Sequence, residues 1–351
     1  MKLLTKYILP AALVAGFLFY FFSDAFNRHF SLDDCFYDGL VRKYGIGESI
    51  DVCYKLANGR WFSHIICAFS FYIIGQSFFL YGVYLTFLLA LFVYAVSSFY
   101  KNYYASFLKQ NISLFSRMSF SLVFTSTLYF LLFEGRWETW SWVSSANTHL
   151  LSVIVCLFLF SLLVKESQTI FSVISIFMLS VFIGGLNEVN AICTVFSIIG
   201  LFLLNRFYFP DIRLGKLNML VSILAIIASL LINIYSGGYK LRMEGLPDFN
   251  IMQSFKNTAH SFLMPVLHYR FLSVYLGVLL VFVLFLKEHP AQISKKILVV
   301  FLSGLTIVAL SFFLHCYMLS DVVPARGAIW GYCFMLFIFS LFFLSDKKNS
   351  T

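Results

Sequence analysis

Two adjacent carboxylates, Asp33 and Asp34, stand in Phe30-Ser31-Leu32-Asp33-Asp34-Cys35-Phe36-Tyr37-Asp38, just after an apolar run of membrane length. The chain is 60% hydrophobic and only 12% charged, so such a pair has to be solvated or paired and is the first place to look for chemistry. A carboxylate placed this way can accept the proton of an attacking hydroxyl, as group transfer onto an alcohol requires. A phosphate leaving group needs fixed cations, and Arg60, Arg136, Lys240, Arg242 and Arg326 are at hand. Asp34 and Asp38 equally suit the N-cap of a surface helix.

The other polar motifs sort in the same way. Asn58-Gly59 is a natural turn that delivers Arg60 and Trp61 to a membrane surface, where Arg60 suits either bidentate phosphate binding or snorkelling. Arg136-Trp137-Glu138 repeats the cation-aromatic pattern. Gly237-Gly238 before Tyr239, Lys240 and Arg242 either lets backbone amides approach an anion or ends a helix. Glu188, between Asn187 and Asn190, either assists the base or holds an arginine, and Arg326 follows Pro324 in a late turn as a phosphate ligand. These assignments give catalytic Asp33 and Asp34, and phosphate-binding Arg60, Lys240, Arg242 and Arg326. Trp61, Arg136, Trp137, Glu138, Glu188 and Tyr239 are left for sugar or acceptor contacts. His64, His260 and His268 could line the same cavity, although the seven histidines form no HxxH or HExxH element.

Positioning these groups falls to apolar helices. A mean hydropathy of +0.87 and 44 phenylalanines in 351 residues describe an integral membrane protein, a single membrane domain over 1–351 with no soluble domain left over. The expected fold class is all-α and polytopic, with about ten transmembrane helices: 7–22, 78–98, 118–133, 150–164, 170–183, 191–204, 217–234, 271–286, 297–316 and 328–344. The first span is read as an uncleaved anchor, because bulky Phe17 to Phe22 gives no small-residue cleavage site. The first outer loop, 23–60, is long enough for one or two short surface helices, and 61–74 reads as an interfacial helix ended by Gly75-Gln76-Ser77.

Charge fixes the expected orientation. The inner loops hold 14 Lys/Arg against 4 acidic residues, and the outer loops 11 against 12, which puts both termini in the cytoplasm. The net charge of +9 is therefore an inner-surface property that speaks for a lipid bilayer and against nucleic acid. Every polar motif above falls on an outer loop or its edge, as do all five tryptophans. The seven cysteines show no CxxC spacing or zinc pattern, so no metal is expected; Cys35 and Cys53, in one loop, are either a disulfide or two free thiols.

The acidic pair after the first span, the Asn58-Gly59-Arg60-Trp61 turn and the Pro324-Ala325-Arg326 turn together resemble membrane glycosyltransferases of the GT-C superfamily. They are similar to bacterial members that decorate O-antigen or other surface polysaccharide, and to an uncharacterised GT-C-like group. The resemblance implies a polyprenyl-phosphate sugar donor, a glycan acceptor, no cofactor, and an active site on the periplasmic side of a bacterial inner membrane. It also implies that Asp33 is the acid/base group, with Asp34 its neighbour. An O-antigen polymerase would share the lipid substrate and outer site. A lipid-linked oligosaccharide flippase or transporter would want charges at span centres and repeated halves, neither of which the sequence offers.

Overall fold

The computed structural model describes residues 7–27, 30–108, 111–132, 136–165, 169–208, 214–244, 250–267, 272–287, 305–314, 316–317 and 325–344. Among them the chain is all α, with no strand. In order come α1 (Leu9–Asn27), α2 (Leu32–Leu56), α3 (Trp61–Ile74), α4 (Phe78–Tyr103), α5 (Leu114–Leu131), α6 (Arg136–Trp140) and α7 (Val143–Ser145). A π turn, Ala146–Leu150, joins α7 to α8 (Leu151–Leu163) as one span. Then follow α9 (Ile170–Leu186), α10 (Glu188–Tyr208), α11 (Lys216–Ile234), α12 (Gly237–Glu244), α13 (Ile251–Leu267), α14 (Leu272–Lys287), α15 (Leu305–Leu314) and α16 (Ala325–Leu344).

The burial pattern is that of a membrane protein. α11 turns Asn218, Ser222, Ser229 and Asn233 inward and leaves Leu220, Leu224, Ile227 and Leu231 exposed. α9 likewise buries Ser172, Ser180, Gly184 and Gly185 while Phe171, Ile174 and Phe177 face out. Apolar side chains on the outside cost nothing in lipid, and small polar residues inside let backbones approach. A Cβ on Gly184 would stand 2.6 Å from the Ile226 carbonyl oxygen, so α9 and α11 touch where only glycine fits. Between the helices lies an aromatic core centred on buried Trp140, edge-on to Phe92 at 5.4 Å and 5.9 Å from the Tyr129 ring.

Six helices among the described residues are long and apolar enough to cross a bilayer: Leu9–Asn27, Phe78–Ser106, Leu114–Leu131, Val143–Leu163, Glu188–Phe207 and Lys216–Ile234. Four of the expected crossings coincide with helices or apolar stretches that fall short of this measure or are described only in part, among them α9 with 17 residues and α14 with 16. α3 has 14 residues, a length of about 21 Å against about 30 Å of hydrocarbon. It ends at Gly75, whose φ of 54° few other residues tolerate. The first outer loop holds the one or two helices expected of it: α2 is two helical segments that meet at a kink at Gly45, where φ is 74° and ψ 179°.

Helix directions bring the motif-bearing ends together. The start of α4 meets the start of α2, and the ends of α9 and α11 meet the turn before α3. α12 packs on α2, and α16 packs on α6 and the π turn. The opposite end carries the end of α4, the start of α5, the end of α8 and the start of α9.

Candidate functional site

Ser31 starts α2 with a reciprocal cap: its hydroxyl accepts from the Asp34 amide at 3.0 Å, and Asp34 accepts from the Ser31 amide at 3.1 Å. Asp34 is fully buried and does more than cap. The Tyr81 hydroxyl donates to Oδ2 at 2.8 Å, while Oδ1 takes the Ser144 amide at 2.9 Å and its hydroxyl at 2.7 Å. Four donors from three segments satisfy this carboxylate, which ties α2, α4 and α7 at one point. The chain of bonds runs on. The Thr148 hydroxyl donates to the Ser144 carbonyl at 3.0 Å and lies 2.7 Å from the Ser63 hydroxyl on α3.

Asp33, the next residue back, is exposed in the first turn of α2. Its charge is felt one turn later at the Tyr37 hydroxyl, whose pKa is raised chiefly by burial, with Asp33 adding to the rise and Arg60 opposing it. Tyr37 in turn fixes His64. The His64 Nε2 lies 2.9 Å from the Asn58 carbonyl, which can only accept, so that nitrogen carries the proton. Nδ1 then accepts from the Tyr37 hydroxyl at 3.0 Å. Burial pushes the His64 pKa down to about 4, assisted by the Arg60 charge and resisted by the Asn58 carbonyl and Glu188.

Arg60 heads α3 and reaches α10: its Nε donates to Glu188 Oε2 at 2.8 Å. Arg242, from α12, approaches the other carboxylate oxygen, with Nη1 3.9 Å from Oε1. The Glu188 side chain is 3% exposed, against 15% for Arg60 and 28% for Arg242, so a buried carboxylate draws two guanidiniums from segments far apart in the chain. Glu188 Oε1 nevertheless accepts no hydrogen bond. Thr139 Oγ1, Trp140 Nε1, Ser145 Oγ and Asn190 Oδ1 also lack a hydrogen-bond partner, so five of the six such buried polar atoms among the described residues lie at this end.

Glycines hold this arrangement close. A Cβ on Gly59 would lie 2.0 Å from the Asn233 carbonyl oxygen, and one on Gly238 would lie 2.8 Å from that of Tyr54. The Gly237-Gly238 pair thus lets α12 dock on the end of α2, which brings Arg242 and half-buried Tyr239 toward Glu188. Lys240, on the same helix, is exposed. Trp61 is an anchor: its indole N–H donates to Ser229 at 3.2 Å, and its ring lies where a Cβ on Gly185 would have to go.

The structure therefore brings together Arg60, Glu188, Arg242 and Tyr239, with Trp61 behind them and Asp33 across Tyr37 and His64. Arg136, Trp137 and half-buried Glu138 belong to α6, which packs chiefly on α1, α7, α16 and the π turn. Arg326 lies in the first turn of α16; its side chain, those of Arg136 and Trp137, and all of His268 and Pro324 lie outside the described set. His260 is exposed on α13. Cys35 and Cys53 are both free thiols on α2. Among the described residues no three His, Cys, Asp or Glu side chains converge as metal ligands.

Sequence reasoning missed the π turn. Buried Asn147 there accepts from the Tyr84 hydroxyl at 2.6 Å and donates to Ser70 at 3.2 Å, and His149 lies 3.4 Å from Asn187. The signal was present as Ser144-Ser145-Ala146-Asn147-Thr148-His149, a polar run inside an apolar span. Such π insertions widen one turn and are frequent at functional sites. Fold and site define an all-α membrane protein with a buried, charge-paired polar centre at one end of its helices. No protein-family model matches the chain, and neither a curated protein nor a solved structure does.

Proposed function

We propose that this chain is a GT-C-like membrane glycosyltransferase that moves a sugar from a polyprenyl-phosphate donor to a surface-glycan acceptor. The Arg60–Glu188–Arg242 cluster carries this reading, because two guanidiniums prepositioned at a membrane boundary suit a lipid-linked phosphate. Glu188 keeps both cations in place until the anion arrives, and Arg60 engages it through Nε. Asp33, exposed and near Tyr37, is the base that takes the acceptor hydroxyl's proton. Asp34 has its oxygens occupied by four donors, so its part is to hold the start of α2 in position.

Tyr239 and Lys240 on α12, with Arg326 at the head of α16, complete the donor side in this reading. Arg136, Trp137 and Glu138 on α6 are assigned to the acceptor in the same reading. The ten-span topology, cytoplasmic termini, bacterial inner-membrane location and periplasmic site all belong to the same proposal, supported by the Lys/Arg bias of the inner loops. Binding of a polyprenyl-phosphate sugar to purified protein tests it. Arg60→Gln is expected to weaken donor binding about ten-fold or more, the loss of a charge-assisted contact of roughly 1.5–3 kcal/mol. Unchanged donor affinity in that variant would remove Arg60 from the phosphate site.

A further inference from the structure

At the end of the helices remote from Glu188 lies a cavity of about 690 Å³ between α4, α5, α8 and α9. Three cations line it: Lys101 from the last turn of α4, Arg117 from the first turn of α5, and Lys165 just beyond α8. Among the described residues that line it there is no carboxylate. Arg117 Nε is buried and without a hydrogen-bond partner, although a guanidinium nitrogen out of water needs an acceptor. Asn102, beside Lys101, is already spent on the Ser161 carbonyl and hydroxyl, both at 2.9 Å, so the wall is built and not collapsed.

The rest of the lining is apolar and reaches the outside of the helices. Tyr94 is 61% exposed, Leu114 64% and Met178 43%, on faces that an apolar surrounding would cover. A pocket that is cationic at its mouth and open to hydrocarbon along one wall suits an amphiphile with an anionic head better than a soluble anion. The loops at this end carry the Lys/Arg excess, which assigns the head to the inner leaflet.

We infer that this cavity binds the phosphate head of an anionic membrane phospholipid, with Arg117, Lys101 and Lys165 on the phosphate and an acyl chain along Tyr94 and Met178. The site lies apart from the proposed transfer centre and does not depend on it. The phosphate oxygen supplies the acceptor that Arg117 Nε lacks. Each cation contributes about 1 kcal/mol at a membrane surface, which corresponds to about five-fold in affinity.

The test uses the full chain purified in a neutral detergent, with thermal unfolding followed as lipid is added. Phosphatidylglycerol is expected to raise the unfolding temperature in a saturable way, and phosphatidylcholine to have little effect. Lys101→Gln, at an exposed position, and Arg117→Gln should each weaken the apparent phosphatidylglycerol affinity about five-fold. Asp33→Asn should leave it unchanged, which separates this site from the transfer reaction. Equal stabilisation by both lipids, or no loss in either cation variant, would overturn the inference. A full shift produced by inorganic phosphate alone would overturn the lipid as the ligand.

Discussion

The two ends of the helices treat charge in opposite ways. Around Glu188 each buried ionised group is matched: Arg60 and Arg242 share one carboxylate, and Asp34 is held by four donors. Around Arg117 three cations face one cavity that has no carboxylate among its described lining residues. Pairing within the chain fixes geometry before any ligand arrives, and a cavity lined by one sign of charge takes its counter-charge from outside. The first end holds its cations in a defined pose, and the second gathers them around an open cavity.

The sharpest way to break this contrast is to remove the shared carboxylate. Glu188→Gln leaves Arg60, only 15% exposed, without its counter-charge, and is expected to destabilise the protein by about 3–5 kcal/mol in thermal unfolding. A loss under 1 kcal/mol would mean that Arg60 and Arg242 are solvated and not paired.

His64 is next in size, and its contribution depends on pH. Its folded pKa is depressed to about 4 while the unfolded value stays near 6.5, so the unfolded chain binds the extra proton first. Stability is fully present above about pH 6.5 and is lost as pH falls through the interval down to about 4, by roughly 3 kcal/mol in all. Unfolding followed between pH 4 and 7 should show that decline in the native chain and a flatter profile in His64→Gln.

The smallest of the three effects concerns the neighbouring aspartates. Asp34→Asn replaces an acceptor of four hydrogen bonds with a group that must donate, and about 2–3 kcal/mol of stability should go. Asp33→Asn, at an exposed position, should stay within about 0.5 kcal/mol of the native chain. Equal losses in the two variants would erase the distinction between a buried carboxylate that holds the fold and an exposed one.

Much of the fold could be read locally. The turn at Asn58-Gly59 and the break at Gly75-Gln76-Ser77 bound α3 at Trp61–Ile74, and Ser77 caps α4 where the second long run begins. Both signals are short-range and need no tertiary context. α2 was harder, because Gly39, Gly45 and Gly47 look like breaks, yet only Gly45 leaves helical geometry. At the site, the sequence offered Asp34 or Asp38 as the cap, whereas the cap is Ser31, with Asp34 three residues on and Asp38 inside the helix. The Asp34 partners Tyr81 and Ser144 were out of reach of the sequence, since they lie 47 and 110 residues away and carry no local mark. The glycine pair before Tyr239 was visible as a special place, but its use, close approach to the Tyr54 and Lys55 carbonyls, depends on how α12 docks.

The most direct test of the central claim, that an exposed Asp33 serves a prebuilt phosphate site, is transfer of a labelled sugar from polyprenyl phosphate by purified Asp33→Asn protein. The account predicts a loss of about a hundred- to ten-thousand-fold in rate, the usual worth of a positioned base, with folding and donor binding intact. A variant that transfers sugar at the native rate would contradict it.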